Sequence, residues 1–206
     1  MTRADLFARL IVTTRRPKRY RTLSGVLSAV LVPLIEHADD ITVLLTKRTE
    51  HLAHHRGQVC FPGGRAEDAD HGPVDTALRE AFEEVGVSPD SVTLIGCLED
   101  YKTLTGFVVT PVVGLIRPPL ILRTALEEVA VAFEMPLTFL LNPTNHRCLT
   151  PVHSQFVRTT YAIPYQSYYI WGATAAILMA LYQIVAASGP CAPTGYYGIS
   201  STAGEA

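Results

Sequence analysis

Glu80, Glu83 and Glu84 stand at i, i+3 and i+4 within the segment from Val74 to Val85, a spacing that gathers three carboxylates on one patch of a helix. Each like-charge pair at this spacing costs about 0.2–0.5 kcal/mol, and no Lys or Arg follows any of the three at three or four residues to relieve it. The ordinary fate of such a cluster is a solvated acidic face. Two neighbouring features argue for a cation site instead. Phe61-Pro62-Gly63-Gly64 precedes the segment, with glycines that allow close approach and can present a backbone carbonyl, and Gly86 follows it as a natural helix C-cap. Hard divalent cations such as Mg²⁺ take oxygen ligands and share one or two carboxylates with substrate phosphates, so carboxylates plus a carbonyl suit them.

The elements needed to position this cluster are legible around it. Val74, Ala77, Leu78, Ala81, Phe82 and Val85 recur at helical intervals and predict a helix packed on a sheet by its apolar face, with the acidic face opposite. Leu27 to Leu34 and Ile41 to Leu45 read as strands joined by a turn at His37-Ala38-Asp39-Asp40. A polar loop is expected from Lys47 to Gly57 and a short strand from Gln58 to Phe61, then further strands at Val92 to Cys97 and Phe107 to Ile116. Short helices are expected at Asp5 to Val12 and Glu127 to Phe133, an extended segment near Phe156 to Ile163, and a last apolar helix from Tyr168 to Ala187. Mixed strands and helices in this order predict an α/β sandwich with a mixed sheet covered by helices. One domain is expected over 1–187, with a loose Gly-, Ser-, Ala- and Pro-rich tail over 188–206.

Composition narrows the classes. A net charge of -2 and a charged fraction of 17% give no global pull toward nucleic acid, so an anionic small molecule must be attracted locally. Cys60, Cys97, Cys148 and Cys191 form no Cys-x-x-Cys pair and fit free thiols of a cytoplasmic protein. Arg15-Arg16 before the apolar run from Val26 to Ile35 superficially matches a twin-arginine signal, but Pro33 interrupts the run and no small-x-small cleavage site follows. Tyr168 to Ala187 reaches the ~20 residues of a membrane span. Gly172, Thr174 and Gln183 within it, and no Lys or Arg cluster after it, favour a buried helix and no membrane association.

The segment Gly64-Arg65-Ala66-Glu67-Asp68-Ala69-Asp70 through Arg79-Glu80-Ala81-Phe82-Glu83-Glu84-Val85-Gly86-Val87 resembles the Nudix box. Asp70 stands where the general box has Glu, and one extra residue separates it from Arg79; both are features of the coenzyme A diphosphatase branch. Leu44 to Thr49, Gly57 to Gly64, Phe107 to Gly114, Pro136-Leu137 and Ile170 to Ala175 are similar to further blocks of that branch. The resemblance implies the Nudix fold, an α/β/α sandwich, and a hydrolase that uses Mg²⁺ or Mn²⁺ to cleave a diphosphate in coenzyme A or a similar nucleotide. It implies Glu83, Glu84 and the Gly64 carbonyl as metal ligands, Glu80 as a ligand or the base that activates water, and Arg79 as the group that holds the carboxylates. Glu127 or Glu128 is the alternative base. A homodimer is compatible with it.

Lys47, Arg48, His54, His55, Arg56 and Arg65 surround the motif as candidate cationic donors for substrate phosphates, and Gly57, Gln58 and Gly63 belong to the adjoining block. The branch usually carries an arginine at the position of Ala53; Arg56, three positions on, is the substitute within reach in sequence.

Overall fold

A computed structural model describes residues 3–15, 25–52, 55–149 and 160–186. Its centre is a mixed sheet. β1 (Val26–Glu36) runs parallel to β7 (Phe107–Ile116) along one edge, and β7 continues to β5 (Val92–Cys97) and the short β6 (Tyr101–Lys102), both antiparallel to it. The other edge of β1 divides. Its C-terminal end pairs with β2 (Ile41–Arg48) and its N-terminal end with β4 (Gly63–Arg65). β2 then turns away from β1, pairing with β3 (Val59–Cys60) on one edge and β8 (Val129–Pro136) on the other. This splay leaves β4 and the end of β2 on separate stretches of the same edge of β1.

Strand alternation divides the core between two faces. Leu31 and Ile35 of β1, Val112 and Ile116 of β7 and Leu44 of β2 pack with Ala77, Ala81 and Val85 of α2 (Pro73–Val85). Val32, Leu34, Val43, Leu45 and Val113 face the opposite way, against Leu6 and Leu10 of α1 (Arg3–Thr13) and Ile177, Leu178, Leu181 and Val185 of α4 (Gly172–Ala186). The two alanines let α2 lie close on its sheet. A second sheet of β9 (Arg147–Leu149), β10 (Thr160–Tyr165) and β11 (Tyr168–Trp171) leads into α4, and the five-residue α3 (Leu137–Leu141) follows β8. The α/β/α sandwich with a mixed sheet is therefore as expected.

Four local expectations change. Glu127 to Phe133 is not a helix: Val129 onward forms β8, because its β-branched and apolar residues complete the free edge of β2 from Thr42↔Pro136 to Arg48↔Val129. Lys47 and Arg48 are the last residues of β2, not loop. The apolar stretch Tyr168 to Ala187 is broken at Gly172, whose φ of 64° turns the chain from β11 into a 15-residue helix. Among the described residues no helix is long and apolar enough to cross a membrane. Phe82 does not join the buried face of α2 but is 56% exposed, whereas Glu84 is 4% exposed. The carboxylates thus flank the packed face rather than oppose it. The extended segment near Phe156 to Ile163 is described only from Thr160, where β10 begins, and the tail over 188–206, Ala53 and His54 lie outside the described residues.

Candidate active site

α2 begins at Pro73, whose missing N–H is no loss at a helix start, and ends at Gly86. Gly86 adopts a left-handed φ of 73° and donates to the Phe82 carbonyl, while Val87 donates to Ala81. This fixes the last turn, which carries Glu83 and Glu84. The loop from 121 to 128 fastens to the same turn: Arg123 N donates to the Val85 carbonyl and Ala125 N to that of Glu84, both at 2.9 Å. Thr49 N then donates to the Glu128 carbonyl. In this way the loop brings Glu128 to the end of β2.

Arg48 joins the pieces. Its guanidinium lies 3.5 Å from Glu84 Oε1 and 3.4 Å from Glu128 Oε2, and its buried Nε has no hydrogen-bond partner among the described residues. Gly63 N donates to Glu84 Oε2 at 3.3 Å. Burial pushes the Glu84 carboxyl up to about 8 against the opposing pull of Arg48 and Gly63, with Glu80 and Glu128 adding to the push. Burial likewise raises Glu80 above the ordinary carboxylate range, opposed by Arg79 and reinforced by Glu83 and Glu128. Glu128 therefore acts on both carboxyls. Glu127 instead braces the loop through its backbone, its carbonyl accepting from Thr49 Oγ1 at 3.1 Å.

Arg79 organises the other half. It donates to Glu80 Oε1 at 2.9 Å, to Glu83 Oε2 at 3.2 Å, to the Arg65 carbonyl at 2.9 Å and to both oxygens of Asp70 at 3.1 and 3.2 Å. Burial alone would raise the Asp70 carboxyl, yet hydrogen bonds from Arg79, Glu67 N and Thr76 hold it down at about 2. Arg79 in turn is held above the ordinary guanidinium range, chiefly by the hydrogen bond to Asp70. Asp70 is the anchor of this arginine, a role its departure from the usual box residue did not disclose. The acidic patch is thus partly neutralised from within, by Arg79 and Arg48, neither of which lies C-terminal to it in the helix.

Backbone crowds the position of Gly63, and the Glu80 carboxylate that of Gly64. A methyl group at Gly63 would strike the Ala29 carbonyl and the Val30 backbone, and one at Gly64 would occupy the Glu80 carboxylate. The pairing also separates their roles. Leu31 N donates to Pro62 O and Ala66 N to Leu27 O, so the intervening Ala29–Gly64 pair occupies the mutually hydrogen-bonded position of the ladder. The Gly64 carbonyl is therefore spent on β1. In a trans peptide C=O and N–H point oppositely. With Gly64 N–H facing β1, the Gly63 carbonyl faces away from it, on the side from which Gly63 N–H reaches Glu84. The ladder thus turns the Gly64 carbonyl, the expected ligand, toward β1 and leaves that of Gly63 on the side of its own N–H.

The candidate phosphate donors do not all converge. Alternation along β2 sends Thr46 and Arg48 toward Cys60 and Glu84, and Lys47 to the other face with Leu45, where it pairs with Glu50 at 3.2 Å. His55 Nδ1 lies 2.9 Å from Gln58 Oε1, and Gly57 leaves room for the Glu50 carboxylate, so this loop is held by its own contacts. Arg56 and Arg65 are exposed, the latter with its guanidinium 5.1 Å from the centre of the Phe107 ring. Cys60 lies beside Arg48 and Glu84, but burial pushes its thiol up to about 11, so it is no nucleophile at neutral pH.

Among the described residues no three acidic, His or Cys groups form a preformed metal cage, and the carboxylates are occupied by Arg79 and Arg48. The donor set still fits a hard cation. It is all oxygen, from the carboxylates of Glu80, Glu83 and Glu84, the kind of ligand such cations take.

The sequence profile described as NUDIX domain matches residues 26–159. The chain is 42% identical over 167 residues to an uncharacterized Nudix hydrolase NudL of Enterobacter sp. (strain 638), covering 81% of this chain and 86% of that one. It is 40% identical over the same length and shares to NudL of Escherichia coli (strain K12 / DH10B). Among solved structures, a MutT/nudix family protein from Enterococcus faecalis superposes with a TM-score of 0.51 at 18% identity, over 88% of this chain and 68% of that one, a likeness of fold. The chain belongs to the Nudix family. It is a hydrolase acting on the diphosphate linkage of nucleoside diphosphate derivatives.

Proposed function

We propose that the protein hydrolyses coenzyme A or its thioesters to 4′-phosphopantetheine and adenosine 3′,5′-bisphosphate, using Mg²⁺ or Mn²⁺. The observation that carries the catalytic part is the grouping of Glu84, Glu128 and the Gly63 N–H around Arg48, with Glu80 coupled to both acids. Glu80, Glu83, Glu84 and the Gly63 carbonyl would hold the metal, which supplies Lewis-acid neutralisation of the diphosphate oxygens. Arg79 positions Glu80 and Glu83 through its own anchor on Asp70.

Glu128 is the better placed of the two loop glutamates to take the proton from attacking water, alongside Glu80. Arg48 and Arg65 are the cationic donors on the box side, while His55, Arg56, Gly57 and Gln58 form a separate loop beside the end of β2 that can meet the more distant phosphate. Lys47 is withdrawn from this set by its orientation. The choice of coenzyme A rests on Asp70 and the lengthened spacing to Arg79.

Incubating the protein with coenzyme A and either metal should yield the two named products in equal amounts. No turnover of coenzyme A, with turnover of ADP-ribose, NADH or a dinucleoside polyphosphate under the same conditions, would replace this substrate while keeping the chemistry. Retained nucleotide binding with no hydrolysis of any of them would make the protein a nucleotide sensor.

A further inference from the structure

β2 and β8 keep one register from Thr42↔Pro136 to Lys47↔Val131 and then slip, so that Arg48 faces Val129 and the extra residue, Ala130, falls between the two pairs. A bulge of this kind re-aims the residues beyond it. In an unbroken register Glu128 would stand opposite Glu50. The slip draws it back by one residue, about 3.3 Å along the strand, to stand opposite Thr49, whose N–H donates to the Glu128 carbonyl at 2.9 Å. Thr49 is buried and makes a second bond to the same turn: its Oγ1 donates to the Glu127 carbonyl at 3.1 Å, which also accepts from His51 Nε2 at 3.1 Å. Arg48, the residue before it, reaches the Glu128 carboxylate, with Nη2 3.4 Å from Oε2. The other end of the loop is tied to α2, Ala125 N donating to the Glu84 carbonyl and Glu128 N to that of Ala125, both at 2.9 Å. The Glu128 side chain is 52% exposed, so packing does not fix it and these bonds decide where it lies.

We propose that Arg48 and Thr49 are positioning residues that set Glu128 for proton abstraction, Thr49 holding its backbone and Arg48 its carboxylate. The bulge at Ala130 supplies the register that lets two consecutive residues hold one glutamate in this way. The proposal rests on reading Glu128 as the base that takes the proton from attacking water. A base acts only within hydrogen-bond reach of that proton, and a misplacement of about 1 Å costs on the order of 10²-fold in rate. The two positioning residues differ in what else they touch. Arg48 also pairs with Glu84, whereas the Thr49 hydroxyl reaches only Glu127 and His51 among the described residues. Changing that hydroxyl therefore alters the hold on the loop and leaves the charge of the site as it is.

Thr49→Val keeps the shape and the N–H and removes only the hydroxyl. Without metal or nucleotide, deuterium uptake by the segment 121–129 should rise about threefold in this variant, with uptake by α4 unchanged. With Mg²⁺ and coenzyme A, or ADP-ribose if coenzyme A is not turned over, Thr49→Val should lower kcat about tenfold and move KM less than about twofold. Thr49→Ser should restore kcat to within about threefold. Thr49→Val/His51→Ala, which strips both donors from the Glu127 carbonyl, should lose more than Thr49→Val alone. Placed in a Glu128→Gln protein, Thr49→Val should lower kcat no further, because the group it positions is gone. An equal loss in both backgrounds, wild-type kcat in a folded Thr49→Val protein, or loop uptake equal to wild type would overturn the proposal. Full turnover by Glu128→Gln would remove the reading of Glu128 as the base and the proposal with it. The uptake measurement needs no catalysis, so a failure of the hold on the loop is told apart from a failure of that reading.

Discussion

The two faces of the central sheet are built on different terms. On the α4 face, Leu178, Leu181 and Val185 meet Val32, Leu34 and Leu45, and among the described residues no charged side chain is buried with them. On the α2 face the apolar contact is narrow, made by Ala77, Ala81 and Val85, and beside it Glu84 is buried, with Arg48 and Arg79 largely covered. One face stabilises the fold by area; the other accepts buried charge, which is tolerated only because each carboxylate has a guanidinium or N–H beside it. Stability and activity should therefore separate by face.

Substitutions sharpen that division. Glu84→Gln should lower hydrolysis on the order of 10³-fold while the protein remains folded, since the carboxylate that gathers Arg48 and Gly63 is lost. Leu178→Ala on the opposite face should instead cost about 2–5 kcal/mol in a denaturant titration, with hydrolysis per folded molecule almost unchanged. If Leu178→Ala reduced kcat as strongly as Glu84→Gln, the faces would not be independent.

Arg79→Ala tests the charged side from within. It leaves Asp70, buried and held at about 2, without its arginine, and should destabilise by about 3 kcal/mol as well as disordering Glu80 and Glu83. Lys at this position should recover only part of the loss, because one ammonium cannot reach Asp70, Glu80 and the Arg65 carbonyl together.

A smaller effect follows from Glu84 alone. Its folded carboxyl is raised to about 8, so between the unfolded value near 4.5 and that pH the native state binds the extra proton. The associated stability is complete below about 4.5 and is lost as pH rises through 8. Metal-free protein should melt at progressively lower temperature from pH 5 to pH 8, and Glu84→Gln should flatten that slope. The smallest expected effect is Lys47→Ala, which should change KM less than Arg48→Ala, because Lys47 leaves β2 on the opposite side.

Most of this architecture is visible in the residue order. β1, β2, β5 and β7 show as apolar, β-branched runs, and α2 shows through its 3.6-residue rhythm and its terminal glycine. β8 is hidden because Val129 to Phe133 follows two glutamates without strict alternation, and its strand state comes from the open edge of β2 rather than from local preference. The exposed Phe82 and buried Glu84 are misplaced by periodicity alone, since the narrow alanine face lets the sheet cover the carboxylate side of the helix. Within the site, Glu80, Glu83, Glu84 and Arg79 are apparent from spacing. The Arg48–Glu84 pair is not, because 36 residues and the splay of β1 from β2 separate the partners. The choice of Gly63 over Gly64 depends on hydrogen-bond phase in a ladder, which residue type does not encode.

Glu83→Gln tests the central claim most directly, because Glu83 is an exposed member of the cluster whose change leaves the core intact. Hydrolysis of coenzyme A by the wild-type and Glu83→Gln proteins, each with Mg²⁺ or Mn²⁺ and again with EDTA, reads the outcome. The acidic cluster as a metal-dependent diphosphatase site predicts turnover by the wild type that EDTA abolishes, and collapse of that turnover in a Glu83→Gln protein that melts at the wild-type temperature. Undiminished, metal-dependent turnover by Glu83→Gln would contradict it.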